Sequence, residues 1–122
     1  MGRHRFDLAW TDGTRRSLVE VKSASLVLGG TALFPDAVSE RATRHVEALM
    51  RHAAEGWEPR VILVCQRGDA RAFRPAEAID PVFARAFRAA RQAGLIAGAW
   101  RFPVTPQGVG APSPIPVDPE PP

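Results

Sequence analysis

The chain has 122 residues, 45% hydrophobic and 24% charged, the balance of one folded domain rather than of a disordered segment. No apolar run approaches the roughly 18 to 20 residues of a membrane span, and the stretch after Met1 lacks the apolar core of a secretory signal. One cysteine, Cys65, excludes a disulfide framework and a Cys-rich zinc site, so a reduced, cytoplasmic protein is expected.

The formal charge is +3, and residues 1–104, with 16 basic and 11 acidic side chains, carry +5. Such an excess suits a polyanionic partner without demanding one. Its composition is more telling, because fifteen of the basic residues are arginines and Lys22 is the only lysine. Arginine is a permanently charged planar fork, whereas lysine is a compact donor with a tunable pKa. The surroundings of Lys22 therefore decide whether it carries chemistry.

In chain order, Phe6, Leu8 and Trp10 alternate with Arg5, Asp7 and Ala9, which predicts a strand with one apolar face. Thr11-Asp12-Gly13-Thr14 predicts a tight turn. Leu18 to Val21 predict a second strand, with Val19 and Val21 on one face and Glu20 and Lys22 on the other. After the Gly29-Gly30 loop, Phe34-Pro35-Asp36 reads as a helix entry with Asp36 as N-cap. Val38, Ala42, His45, Val46, Leu49 and Ala53 recur at helical spacing until Gly56. Val61 to Cys65 are continuously apolar and predict a strand buried on both faces. Asp80-Pro81 opens a second helix through Phe83, Ala86, Phe87 and Ala90, ending at Gly94, and residues 97–102 supply a last strand. Residues 105–122 hold seven of the twelve prolines and read as an extended tail, in which only Ile115-Pro116-Val117 suits a sheet edge. The expected fold is α/β: a small mixed sheet in the order β-hairpin, α, β, α, β over residues 1–104, with right-handed crossovers, followed by a proline-rich tail, 105–122.

Two hairpin registers are open. A turn at Asp12-Gly13 sets Asp7 diagonal to Glu20, and a turn at Gly13-Thr14 sets the two directly opposite. In both, Asp7, Glu20 and Lys22 share one face, roughly 5 to 8 Å apart. Two carboxylates that close repel unless a cation lies between them, and a hard divalent ion such as Mg²⁺ or Mn²⁺ fits oxygen ligands.

An Asp…Glu-x-Lys arrangement on adjacent strands resembles the PD-(D/E)xK nuclease superfamily. Longer segments sharpen the likeness: Arg5-Phe6-Asp7, Val19-Glu20-Val21-Lys22-Ser23, Phe34-Pro35-Asp36-Ala37, Glu40-Arg41 with His45, Gln66-Arg67, Ile79-Asp80-Pro81, and Trp100-Arg101 through Val104-Thr105-Pro106. Together they resemble the nuclease-like C-terminal part of the sugar fermentation stimulation protein A family. This chain departs from the family at His4, where serine is usual, and at Ala42, where glycine is usual.

The resemblance implies a restriction-endonuclease-like core and a DNA-binding domain performing divalent-metal-dependent phosphodiester cleavage. Asp7 and Glu20 would hold Mg²⁺ or Mn²⁺ with the carbonyl of Val21, and Lys22 would complete the catalytic set. Arg41, Arg44 and Arg67 are expected to contact DNA, without sequence preference, and Asp36, His45 and Gln66 to line the site. The alternative is a non-catalytic DNA-binding regulator of sugar (maltose) metabolism genes. Family members usually carry an N-terminal OB-like domain before this part, which the resemblance leads one to expect is absent here, and no membrane association is expected.

Overall fold

A computed structural model describes residues 6–120. The first hairpin joins β1 (Leu8–Asp12) to β2 (Arg15–Ser23), pairing Asp12 with Arg15 and Leu8 with Val19. The turn is therefore Gly13-Thr14, and Gly13 supplies the positive φ, +59°, that a tight hairpin requires. Of the two registers, this is the one that carries Asp7 opposite Glu20. Arg5 and His4 lie outside the described residues.

Two short strands not expected from the sequence follow, β3 (Leu26–Leu28) and β4 (Thr31–Phe34), on either side of the Gly29-Gly30 loop. Helix α1 (Glu40–Ala53) leads to β5 (Glu58–Cys65) and β6 (Ala72–Pro75). Helix α2 (Pro81–Gln92) leads to β7 (Ile96–Arg101). The chain closes with a small hairpin, β8 (Val104–Thr105) and β9 (Gly108–Val109), and then β10 (Ser113–Ile115). The main sheet has the order β1-β2-β5-β7-β10, parallel across β2, β5 and β7 and antiparallel at both edges. A second sheet, β3-β4-β6, stands apart from it. The result is a mixed α/β domain with two helices. The anticipated hairpin, helices and strands occur in that order, with the second sheet added.

Helix α1 starts later than expected. Its N-cap is Ser39, whose Oγ accepts from Ala42 N at 3.1 Å, and not Asp36, which is exposed in the preceding turn. Asp80 decides this start from a distance. Its Oδ1 caps α2 at Phe83 N (3.0 Å), and its Oδ2 accepts from Ser39 N (2.9 Å), so one buried carboxylate holds both helix entries. Val38, counted on the helical stripe, falls outside the helix and is exposed.

Both helices lie on one face of the main sheet. Pro59, Val61, Leu63 and Cys65 point into the core beneath them, while Ile62 and Val64 on the other face are only half-buried. β5 is thus an alternating strand and not one buried on both faces, because no described helix covers its second face. Leu8 and Trp10 stand on that same uncovered face and are exposed. The core unites Leu18, Val46, Leu49, Leu63, Phe73 and Phe87.

The proline-rich segment is not a free tail. β10 pairs antiparallel with β7, Ile115 is buried, and Val117 bridges Phe73. Asp118 then anchors the segment, accepting from Arg88 Nε at 2.8 Å and lying 3.5 Å from Arg74. Pro114 is tolerated in β10 because this strand forms the sheet edge. No described helix is long and apolar enough to cross a membrane.

Candidate active site

At the far end of the first hairpin the backbone bends at Asp7, just before β1, and the carboxylate takes over the role of a strand partner. Asp7 Oδ2 accepts from Val21 N at 2.6 Å. This contact was not visible in the sequence, since it depends on the register. Glu20 and Lys22 follow on the helix-covered face of β2, where parity places them, and Leu18 on the same face anchors the strand in the core. Glu20 is 5% exposed, which is unusual for a carboxylate and places it below His45 of α1.

The contacts form one chain. Lys22 Nζ lies 3.8 Å from Glu20 Oε1 and 2.8 Å from His45 Nδ1. His45 Nδ1 is also 3.3 Å from Glu20 Oε2, and Arg41 Nε, one helical turn earlier, reaches His45 Nε2 at 3.4 Å. A neutral imidazole accepts at one nitrogen only. The lysine ammonium can only donate, so the 2.8 Å contact assigns acceptance to Nδ1, and Arg41 contributes mainly its charge.

The two carboxylates divide a proton between them. Val21 N–H, with the hydrogen bond from Glu20, holds Asp7 below the usual carboxylate range. Burial, then the hydrogen bond to Asp7, pushes Glu20 up to about 7, against the opposing pull of Lys22. Glu20 Oε2 is buried without a hydrogen-bond partner. Glu20 is therefore about half protonated at neutral pH, and a cation held between the two carboxylates would displace that proton. Two hard-oxygen carboxylates suit Mg²⁺ or Mn²⁺, which keep several waters and need few protein ligands. Among the described residues no group of three or more His, Cys, Asp or Glu side chains is gathered to hold a metal ion, so these two carboxylates would be the only such side chains to contribute.

The remaining candidates separate. Arg41 and His45 join the cluster. Arg44 points to a more exposed position, 3.6 Å from Glu40 of its own helix. Arg67 follows β5 and is held by Asp69 through two bonds of 3.0 and 2.7 Å. Gln66 and Asp36 are exposed in loops. Cys65 is core, and burial raises its thiol pKa. Sequence spacing found Asp7, Glu20, Lys22 and His45; the i, i+4 step from Arg41 to His45 was the signal for Arg41.

The fold and site define a mixed α/β domain carrying a carboxylate pair, Glu20 buried and Asp7 exposed, with a lysine beside it. Residues 1–108 match the family model of the sugar fermentation stimulation protein RE domain, and the chain belongs to that family. A sugar fermentation stimulation protein homolog of Geobacter sulfurreducens is 47% identical over 106 residues, 87% of this chain and 46% of the relative. One from Chloroflexus aggregans is 41% identical over 117 residues, 96% of this chain and 45% of the relative. The solved structure of Pyrococcus furiosus SfsA in complex with Ca²⁺ superposes with a TM-score of 0.89 at 26% identity, covering 96% of this chain and 51% of that one. The chain thus spans about half the length of these relatives.

Proposed function

We propose that this chain is a nuclease-like DNA-binding domain with a restriction-endonuclease-like core, cleaving phosphodiesters with a divalent metal. The observation that carries the reading is buried Glu20 paired with exposed Asp7, with Lys22 beside them. Support comes from the Ca²⁺ in the Pyrococcus furiosus relative's structure, since Ca²⁺ shares the oxygen preference of Mg²⁺.

Asp7 and Glu20 would hold the cation, which supplies a polarised phosphate and an acidified water. The rest belongs to the side chains. Lys22 Nζ, steadied by His45 Nδ1, presents a donor beside the carboxylates to orient the attacking water and stabilise developing negative charge. Arg41 adds positive charge from the helix above and would hold a flanking phosphate. Burial of Glu20 keeps competing water off the ligand oxygen that faces His45.

The primary test is cleavage of single- and double-stranded DNA with Mg²⁺ and Mn²⁺. Wild type is expected to cut, and failure on every substrate leaves a non-catalytic DNA-binding regulator. Calorimetry addresses the ligands separately. Asp7→Asn is expected to weaken Mn²⁺ binding by at least about tenfold, one carboxylate charge being lost. For wild type, affinity should rise with pH through about 7, because the cation displaces the proton on Glu20. Equal binding by both proteins refutes the assignment.

DNA contact is expected to be weak and indifferent to sequence, with phosphates supplying most of the affinity. Arg41→Ala with Arg67→Ala should weaken all sequences alike and flatten the salt dependence by roughly one to two units. Arg41 should account for most of this, because Arg67 is already held by Asp69. A gel-shift salt series on the single and double variants measures it; a sharp preference for one sequence contradicts this recognition mode.

A further inference from the structure

The alternation that groups Phe6 with Leu8 and Trp10 in the sequence breaks at Asp7. β1 begins only at Leu8, paired with Val19. A straight continuation would set Phe6 opposite Val21, on the uncovered face of the sheet with Leu8. Phe6 goes elsewhere. Its ring meets His52 of α1 edge-on, with centroids 5.5 Å apart and planes at 88°, and packs half-buried against the core. Since α1 lies on the opposite face, the bend at Asp7 carries the chain around the open edge that β1 forms.

His52 belongs to the stripe of α1 that also carries His45, two helical turns earlier, and both are buried. One face of one helix therefore meets both sides of the carboxylate pair. His45 stands over Glu20 and Lys22, and His52 stops Phe6, the residue before Asp7. His52 is itself steadied, with Nδ1 3.3 Å from Glu55 Oε2.

The consequence falls on Asp7. The ladder between β1 and β2 ends before it reaches Val21, and Asp7 Oδ2 accepts from Val21 N at 2.6 Å instead. Asp7 is exposed, so burial of its own side chain does not hold it there. We infer that Phe6 is a positioning residue for Asp7: its contact with His52 anchors the bend, and the anchored bend keeps the carboxylate on Val21 N and beside Glu20. The functional consequence rests on the reading of Asp7 as a metal ligand. A carboxylate already in place loses little freedom when the cation arrives, which is what a supporting contact contributes.

Amide hydrogen exchange on the metal-free chain tests the placement, and Mn²⁺ calorimetry tests its consequence. Phe6→Ala should speed exchange at Val21 N by at least about tenfold, while Val61 and Leu63 in β5 exchange as in wild type. Mn²⁺ affinity should fall about three- to tenfold, and less than about twofold further when Phe6→Ala is added to Asp7→Asn, because both changes act through one carboxylate. Val21 exchange at the wild-type rate overturns the inference. So does equal acceleration at Val21, Val61 and Leu63, which would make Phe6 a general packing residue, and so does an additive loss of Mn²⁺ affinity. Should Phe6→Ala not fold, His52→Ala removes the same contact from the helix side, and the same selective acceleration at Val21 is expected. A wild-type chain that binds no Mn²⁺ removes the metal-ligand reading, and Val21 exchange still decides whether Phe6 places Asp7.

Discussion

Lys22→Arg is expected to lower metal-dependent cleavage by at least about a hundredfold, the usual scale for removing a positioned donor from a reacting centre. Charge is preserved, so the effect isolates shape. Lys22 reaches between His45 Nδ1 at 2.8 Å and Glu20 Oε1 at 3.8 Å, and its side chain is only 21% exposed. A guanidinium is wider than that opening and spreads its charge over a planar fork. DNA affinity should change less than about threefold, because phosphate contacts respond to charge that the substitution retains. A matched melting temperature shows that folding is intact. A variant that cuts as fast as wild type would remove Lys22 from the chemistry.

Glu20→Gln carries the largest expected effect on stability, and its sign depends on pH. The carboxyl titrates near 7 in the fold and near 4.5 when unfolded, so between those values the folded state binds more protons. Stability contributed by protonated Glu20 is complete below about 4.5 and is lost as pH rises through about 7. At pH 8 the buried charge then costs about 2 to 3 kcal/mol, which the neutral amide avoids. The variant should therefore melt roughly 5 to 10 °C above wild type at pH 8 and close to it at pH 4.5. Mn²⁺ should narrow the gap at pH 8 by stabilising wild type alone. A variant less stable than wild type at pH 8 would show that Glu20 is held charged and satisfied in the metal-free fold. Asp7 works in the opposite sense, since its lowered pKa adds stability that is lost as pH falls through its folded value.

Much of the site was legible because strand parity is rigid. Once Phe6 to Trp10 and Leu18 to Val21 formed a hairpin with an even loop, Asp7, Glu20 and Lys22 had to share a face in either register. Helical spacing likewise brought Arg41 and His45 to one side of α1. Choosing the register was beyond local rules, because turn chemistry favoured Asp12-Gly13 while pairing favoured Gly13-Thr14. The start of α1 was equally hidden. Asp36 is a good N-cap by type, but Ser39 takes the position because Asp80, forty-one residues later, accepts its N–H.

The amino-acid sequence by itself determined the two helices, the hairpin and its shared polar face, the buried Cys65, and the unique lysine beside a carboxylate pair. These rest on period, capping and covalent parity, which act over a few residues. Tertiary structure alone decided which face of the sheet the helices cover, and with it that Glu20 is buried and shares a proton with Asp7. It also decided that Leu8 and Trp10, apolar by composition, face outward, and that β3, β4 and β6 form a second sheet. The proline-rich end became an edge strand by the same route: Ile115 and Val117 find β7 and Phe73, and Asp118 finds Arg74 and Arg88. Each of these outcomes depends on contacts between residues distant in the chain, where burial outweighs local preference.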